Sequence, residues 1–134
     1  MSLGFVVGES KVLSDNEGNF LTFTYDGVGG LMAVEGTTFM DNASQYCIGA
    51  ASIPGKGFEM GHCKINQMDG DTVFTYYEIQ LGNTMNGAFK CLGGTGKYKG
   101  IECSGTTGYT PINSAQENKF ASSIYFKGEY SLMK

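Results

Sequence analysis

Apolar and polar residues alternate along most of this chain, and short runs of turn-forming residues interrupt the alternation. Leu21, Phe23 and Tyr25 share one face of the segment 19–25, with threonines between them. A period of two residues is typical of a half-buried β-strand. About eight strands are predicted from nine strand-like segments: 4–8, 19–25, 28–38, 44–53, 58–68, 72–81, 87–92, 102–110 and 120–132.

Helical periodicity is weak, and only the segment 113–119 has room for one helical turn inside a loop. Short antiparallel strands without covering helices must pack as a sandwich or close on themselves, and closure removes unpaired edges. We therefore expect one all-β domain over residues 1–134, an eight-stranded antiparallel closed β-barrel with at most one short helical turn. Its interior would be either filled by side chains or just wide enough for one small ligand.

The dipeptide Asp69-Gly70 lies between two alternating segments and is a strong signal for a tight β-hairpin. A two-residue turn would pair Met68 with Asp71 and so set the register of both strands. The inward face would then contain our candidate ligand-binding residues of this hairpin: Cys63, Ile65, Phe74, Tyr76 and Glu78. The outward face would contain His62, Lys64, Asn66, Thr75 and Tyr77.

Glu78 is the sharpest functional candidate in that register. A carboxylate among apolar side chains is costly unless it is hydrogen-bonded, and burial would raise its pKa toward the range useful for acid–base work. Glu78 is therefore our candidate catalytic residue. The alternative is a structural position near the barrel mouth, with the carboxylate bonded to a tyrosine hydroxyl or to water.

Charge and composition exclude several classes of function. The 134 residues carry a net charge of −4 and no basic run, which argues against nucleic acid and anionic membranes as partners. No apolar stretch approaches the length that crosses a bilayer. His62 and Cys63 are neighbours on a strand and so point to opposite faces, which argues against a metal site. We expect no metal and no cofactor.

The four cysteines, Cys47, Cys63, Cys91 and Cys103, form no CxxC pair. Their low density favours free, buried, apolar cysteines in a reducing compartment. A bridge between Cys91 and Cys103 is the alternative in an oxidising compartment. A cytoplasmic location is favoured, and a periplasmic or secreted one stays open if a signal peptide once preceded Met1.

The segment 90–110, KCLGGTGKYKGIECSGTTGYT, contains six glycines and suggests a phosphate-binding loop. The spacing of a P-loop fails, because Cys91 stands where its first glycine belongs and Tyr98 follows Lys97. A dinucleotide fingerprint fails too, because Gly100 comes one residue late. We predict instead that the glycines form a tight strand connection and that Tyr98 plugs one end of the barrel, as a further candidate ligand-binding residue.

The stretch GGTGKYKGIECSGTTGYT at 93–110, preceded by DGDTVFTYYE at 69–78, resembles bacterial relatives of the allene oxide cyclase-like and dirigent-like β-barrels. The resemblance covers roughly residues 58–110 and departs at Cys103, where glycine is expected. It implies a calycin-like eight-stranded barrel with an apolar cavity, often assembled as a homo-oligomer. Characterised plant relatives bind reactive lipid or phenolic intermediates and guide cyclisation or coupling.

Three functions follow as hypotheses. The first is a binding module that holds a small apolar molecule in the barrel. The second is a cyclase or isomerase in which Glu78 acts as acid, base or charge stabiliser. The third is a filled barrel that acts as a structural or interaction protein.

Overall fold

The computed structural model describes residues 1–34, 36–53, 57–82 and 85–133. Eight antiparallel strands form a closed barrel in sequence order, with β1 paired to β8. The strands are β1 (Ser2–Ser14), β2 (Leu21–Ala33), β3 (Ala43–Ile53), β4 (Phe58–Asn66), β5 (Thr72–Gln80), β6 (Asn86–Gly94), β7 (Glu102–Ile112) and β8 (Phe120–Ser131). The predicted fold is confirmed.

The single helical turn of the described residues is a 3-10 turn at Gly96–Tyr98, not in 113–119. The predicted segments 19–25 and 28–38 fall largely in one strand, β2, which ends at Ala33; residues 34 and 36–38 are not in a strand, and residue 35 lies outside the described residues. Asp26-Gly27, which separates the two segments along the sequence, lies within β2 and pairs with Glu9 and Gly8 of β1. A Cβ on Gly29 would overlap the carbonyl oxygen of Phe5 on β1. Gly29 therefore permits close approach of β1 and β2.

The register predicted for the β4–β5 hairpin is wrong by one residue. The Gly70 amide donates to the Gln67 carbonyl at 3.0 Å, and the Gln67 amide donates to the Asp71 carbonyl at 2.8 Å. The loop therefore has three residues, and Gly70 adopts a φ of 93°. A type I turn followed by a left-handed glycine makes such a three-residue loop. Because side chains alternate with period two, the shift reverses the faces of β5.

The two ends of the barrel differ in how they are filled. The closed end carries the β4–β5 and β6–β7 connections. There Tyr98 is 4% exposed, and its hydroxyl donates to Asp69 at 3.0 Å. Its ring lies 6.0 Å from that of Phe39, which stacks on Tyr130. Tyr98 thus closes this end, as predicted. The glycine segment is structural, because Gly96 has a φ of 53° and leaves no room for a Cβ beside Asp71.

All four cysteines are paired, so the expectation of free cysteines is wrong. Cys47 lies directly opposite Cys63 in the β3–β4 ladder, with Cα atoms 4.1 Å apart, and the two form a disulfide. Cys91 and Cys103 form the second disulfide, with a Cα–Cα distance of 5.0 Å. The barrel brings each pair together across adjacent strands, a proximity that density and spacing along the sequence do not reveal. The bridge between Cys91 and Cys103, which the sequence offers as the alternative, is present.

Candidate functional site

The half of the barrel away from Tyr98 encloses a cavity of about 370 Å³. It extends toward the open end of the barrel, which carries the β1–β2 and β7–β8 connections. Val12 and Pro111 at this end are exposed, whereas Phe126 deeper inside is 5% exposed. The cavity is therefore accessible from solvent. Most of its wall is apolar, with side chains that include Val6, Val12, Phe23, Ile79, Phe120 and Ile124.

Glu59 is the one carboxylate of the described residues that line this cavity. It is 4% exposed and lies on β4 between Ala51 of β3 and Ile79 of β5. The Tyr25 hydroxyl donates to Glu59 Oε2 at 2.5 Å, and the Tyr109 hydroxyl donates to Oε1 at 2.7 Å. Each carboxylate oxygen thus has a tyrosine partner.

A third tyrosine completes this group, which we name the tyrosine–glutamate cluster: Tyr25, Glu59, Tyr77 and Tyr109. The hydroxyls of Tyr25 and Tyr77 are hydrogen-bonded to each other. A tyrosine hydroxyl carries one proton, and the proton of Tyr25 is directed at Glu59. When Glu59 is ionised, Tyr77 therefore donates to Tyr25.

Two glycines create the space for this cluster. Gly49 on β3 lies directly opposite Gly61 on β4. A Cβ on Gly49 would overlap the hydroxyl of Tyr25, and a Cβ on Gly61 would overlap the hydroxyl of Tyr77. Both glycines therefore let tyrosines from neighbouring strands lie flat across the wall and reach Glu59.

Burial controls the protonation of the cluster. The loss of hydration raises the pKa of Glu59 above its ordinary value, and the hydrogen bonds from Tyr25 and Tyr109 lower it in part. Burial also raises the pKa of Tyr25, Tyr77 and Tyr109. The tyrosines consequently stay protonated as hydrogen-bond donors, and Glu59 is the group of this cluster that can exchange a proton.

Some of the residues predicted for the site lie inside the barrel, and others lie on its outer face. Cys63 lines the cavity as half of a disulfide, and Ile65 is buried inside the barrel. The inward positions predicted for Phe74, Tyr76 and Glu78 are wrong. Phe74 and Glu78 are exposed on the outer face, and Tyr76 donates to Glu78 there at 2.6 Å.

The remaining predicted positions follow the corrected register. Thr75 and Tyr77, predicted to lie outside, are buried, whereas His62, Lys64 and Asn66 are exposed as expected. Tyr98 is buried at the closed end, away from the cavity. The described residues contain no group of three His, Cys, Asp or Glu side chains placed to hold a metal ion.

Sequence reasoning missed Glu59, although a signal for it was present. The alternation that places Cys63 and Ile65 inside also places Glu59 inside, because all three are odd-numbered residues of one strand. The inward position of Tyr25 was indicated by its alternation with threonines. The contacts of Tyr77 and Tyr109 with this site could not be read from the chain, since they depend on barrel closure and on the hairpin register.

Comparison with known proteins identifies no relative. The chain matches no protein-family model, and neither the curated proteins nor the solved structures include a match to it. The resemblance to allene oxide cyclase-like barrels thus stays a prediction. In the part of the chain that the structure describes, no helix is long and apolar enough to cross a bilayer.

Proposed function

We propose that this protein binds a small, largely apolar molecule inside its barrel. The observation that supports this most directly is the cavity of about 370 Å³, whose apolar wall contains one buried carboxylate held by tyrosines. Ligand sites are typically apolar clefts of this size, with a few placed polar groups that orient the ligand.

The contrast with the closed end strengthens the proposal. At the closed end Ile65 and Val73 are completely shielded from solvent, as in a protein interior, which packs as densely as an organic crystal. A barrel that served only as a scaffold would gain stability by filling its other half in the same way. A hollow half with a costly buried carboxylate is better explained by ligand binding.

A cavity-filling variant tests the proposal. Ser122 of β8 lines the cavity, and its neighbour Ser123 is exposed on the outer face. We expect the wild type and the control Ser123→Phe to bind the neutral fluorescent probe N-phenyl-1-naphthylamine with equal affinity. Ser122→Phe should bind it at least about tenfold more weakly, because the new ring occupies the cavity. Equal binding by both variants, or no binding by the wild type, would refute the proposal.

Native mass spectrometry of protein purified without detergent identifies the natural occupant. A co-purifying small molecule is expected as an added mass that Ser122→Phe lacks. The same spectra report the oligomeric mass, and so test the homo-oligomer implied by the resemblance.

A second candidate function is an enzyme of the cyclase or isomerase kind, with Glu59 in place of Glu78. It is favoured by one observation, a buried carboxyl with a raised pKa that borders the cavity. Glu59 would serve as acid, base or stabiliser of a developing positive charge. Once a substrate is identified, Glu59→Gln should abolish most turnover while Glu78→Gln retains it; unchanged turnover in Glu59→Gln would refute this role.

A further inference from the structure

We propose that the ligand is an amphipathic amine: an apolar body carrying one protonated amino group, which binds against Glu59. The proposal rests on the proposed function, since it names the class of molecule that the same cavity takes. Two properties of the cavity wall support it: a carboxylate without a cationic partner, and more free hydrogen-bond acceptors than donors around that carboxylate.

Glu59 is the only charged side chain among the described residues that line the cavity. None of the described residues that line the cavity is Lys, Arg or His. The two ion pairs found among the described residues join Lys97 to Asp69 and Lys119 to Glu9. Glu59 therefore has no cationic partner in the wall of the cavity. A carboxylate removed from water is stabilised most by an opposite charge at contact distance, and a cationic ligand supplies one.

The hydrogen bonds of the tyrosine–glutamate cluster all run toward Glu59. The hydroxyls of Tyr25 and Tyr109 donate hydrogen bonds to Glu59, and the hydroxyl of Tyr77 donates to that of Tyr25. An ionised carboxylate has about four lone-pair sites, of which the tyrosines fill two. The cluster consequently offers acceptors to the cavity and no free donor. An ammonium group, which has three donors and no acceptor, complements such a surface.

Aromatic rings surround the cluster on the cavity side. The ring of Phe120 meets the ring of Tyr25 edge to face at 5.9 Å, and Phe23 lies 6.2 Å from Tyr25. All three rings line the cavity. Aromatic faces attract cations, more strongly when both are removed from water. The apolar part of the ligand would contact the remaining wall, including Val6 and Ile124.

Other head groups fit less well. A carboxylate or phosphate would meet Glu59 with like charge and find no free donor in the cluster. An alcohol would donate one hydrogen bond and leave the charge of Glu59 uncompensated. The structure therefore predicts the affinity order amine, then alcohol, then carboxylate for one apolar chain.

Three probes with the same eight-carbon chain test this order: octylamine, 1-octanol and octanoate. Calorimetric titration near neutral pH should give a Kd for octylamine roughly ten- to a hundredfold lower than for 1-octanol, with octanoate weakest. In Glu59→Gln the preference for the amine should fall to within about twofold of the alcohol. The control Glu78→Gln removes the same charge from the outer face of β5 and should retain the full preference.

The outcomes separate the two proposals. If 1-octanol binds wild type as tightly as octylamine, or if Glu59→Gln keeps the preference, the amine proposal is wrong while the binding proposal stands. If none of the probes binds, and N-phenyl-1-naphthylamine does not bind either, the binding function itself is refuted.

A second measurement needs no variant. Nuclear Overhauser effects should connect the methylene beside the amino group of bound octylamine to ring protons of Tyr25 and Tyr109. The terminal methyl should contact Val6 or Ile124 instead. The reverse orientation would overturn the proposal even if Glu59→Gln failed to fold.

Discussion

At the closed end of the barrel, Leu31, Ile65 and Val73 are almost completely buried, whereas at the open end Val12 lines the cavity and is 60% exposed. Both ends are built from the same strands with the same alternation. The difference lies in what covers them: Phe39 and Tyr98 lie over the closed end. A continuous barrel can thus have a filled, buried half and a half that contains an open cavity.

Among the changes that test this comparison, removal of a disulfide should have the largest effect on stability. The two disulfides close segments with sequence separations of 16 and 12, so each should stabilise the fold by about 3 kcal/mol through the unfolded state. Urea denaturation of Cys47→Ala/Cys63→Ala and of Cys91→Ala/Cys103→Ala measures the two losses.

Only the first pair lines the cavity. Its replacement should also weaken binding of N-phenyl-1-naphthylamine, while the second double variant binds as the wild type does. Equal losses of affinity would show that the two halves are not independent.

A matched valine pair compares the packing of the halves directly. Val73→Ala at the closed end removes two methyl groups from a site with 0% exposure and should cost about 2 to 3 kcal/mol. Val12→Ala at the open end should change stability by less than about 0.5 kcal/mol. The free energy of unfolding in urea is the readout, and similar values for the two variants would contradict the division.

A matched tyrosine pair compares the two glutamate environments. Tyr109→Phe removes a hydrogen bond from buried Glu59 and should cost about 1 to 2 kcal/mol. Tyr76→Phe removes a hydrogen bond from exposed Glu78 and should cost less than about 0.5 kcal/mol. Thermal unfolding of both variants beside the wild type tests this, and a larger loss for Tyr76→Phe would reverse the assignment.

The smallest effect is a pH dependence. Burial raises the pKa of folded Glu59 above the ordinary value of 4.5, so the stability it contributes is complete below that value and is lost as pH rises through the folded pKa. The groups that face it, Tyr25, Tyr77 and Tyr109, have raised pKa values and stay protonated over this range.

Wild type should therefore lose stability relative to Glu59→Gln as pH rises above 4.5. Denaturation midpoints of both proteins over a pH series measure the difference. A difference that is independent of pH would show that Glu59 titrates as it does in the unfolded chain.

The sequence predicted the architecture because strand alternation is a local property that every segment repeats. It predicted Cys63 and Ile65 inside for the same reason. It misplaced Glu78, because Asp69-Gly70 is compatible with both a two-residue and a three-residue loop, and one residue of difference exchanges the two faces of β5.

The remaining features depend on contacts between strands. The Cys47–Cys63 disulfide needs the register between β3 and β4, and the tyrosine–glutamate cluster needs β2, β4, β5 and β7 together. The spacing of the glycines was enough to argue against a P-loop or dinucleotide motif in the segment 90–110. A P-loop precedes a helix, whereas here a three-residue 3-10 turn at Gly96–Tyr98 leads into strand β7.

Strand order in this barrel also has a kinetic consequence. Seven of the eight strand pairings join neighbours in sequence, and only the seam between β1 and β8 joins distant segments. Local hairpins have the smaller loop-closure entropy, so the seam should be the last pairing to form. Since β1 and β8 both supply walls of the cavity, a ligand can bind only after this step. Bound ligand should then slow unfolding and leave the rate of folding unchanged.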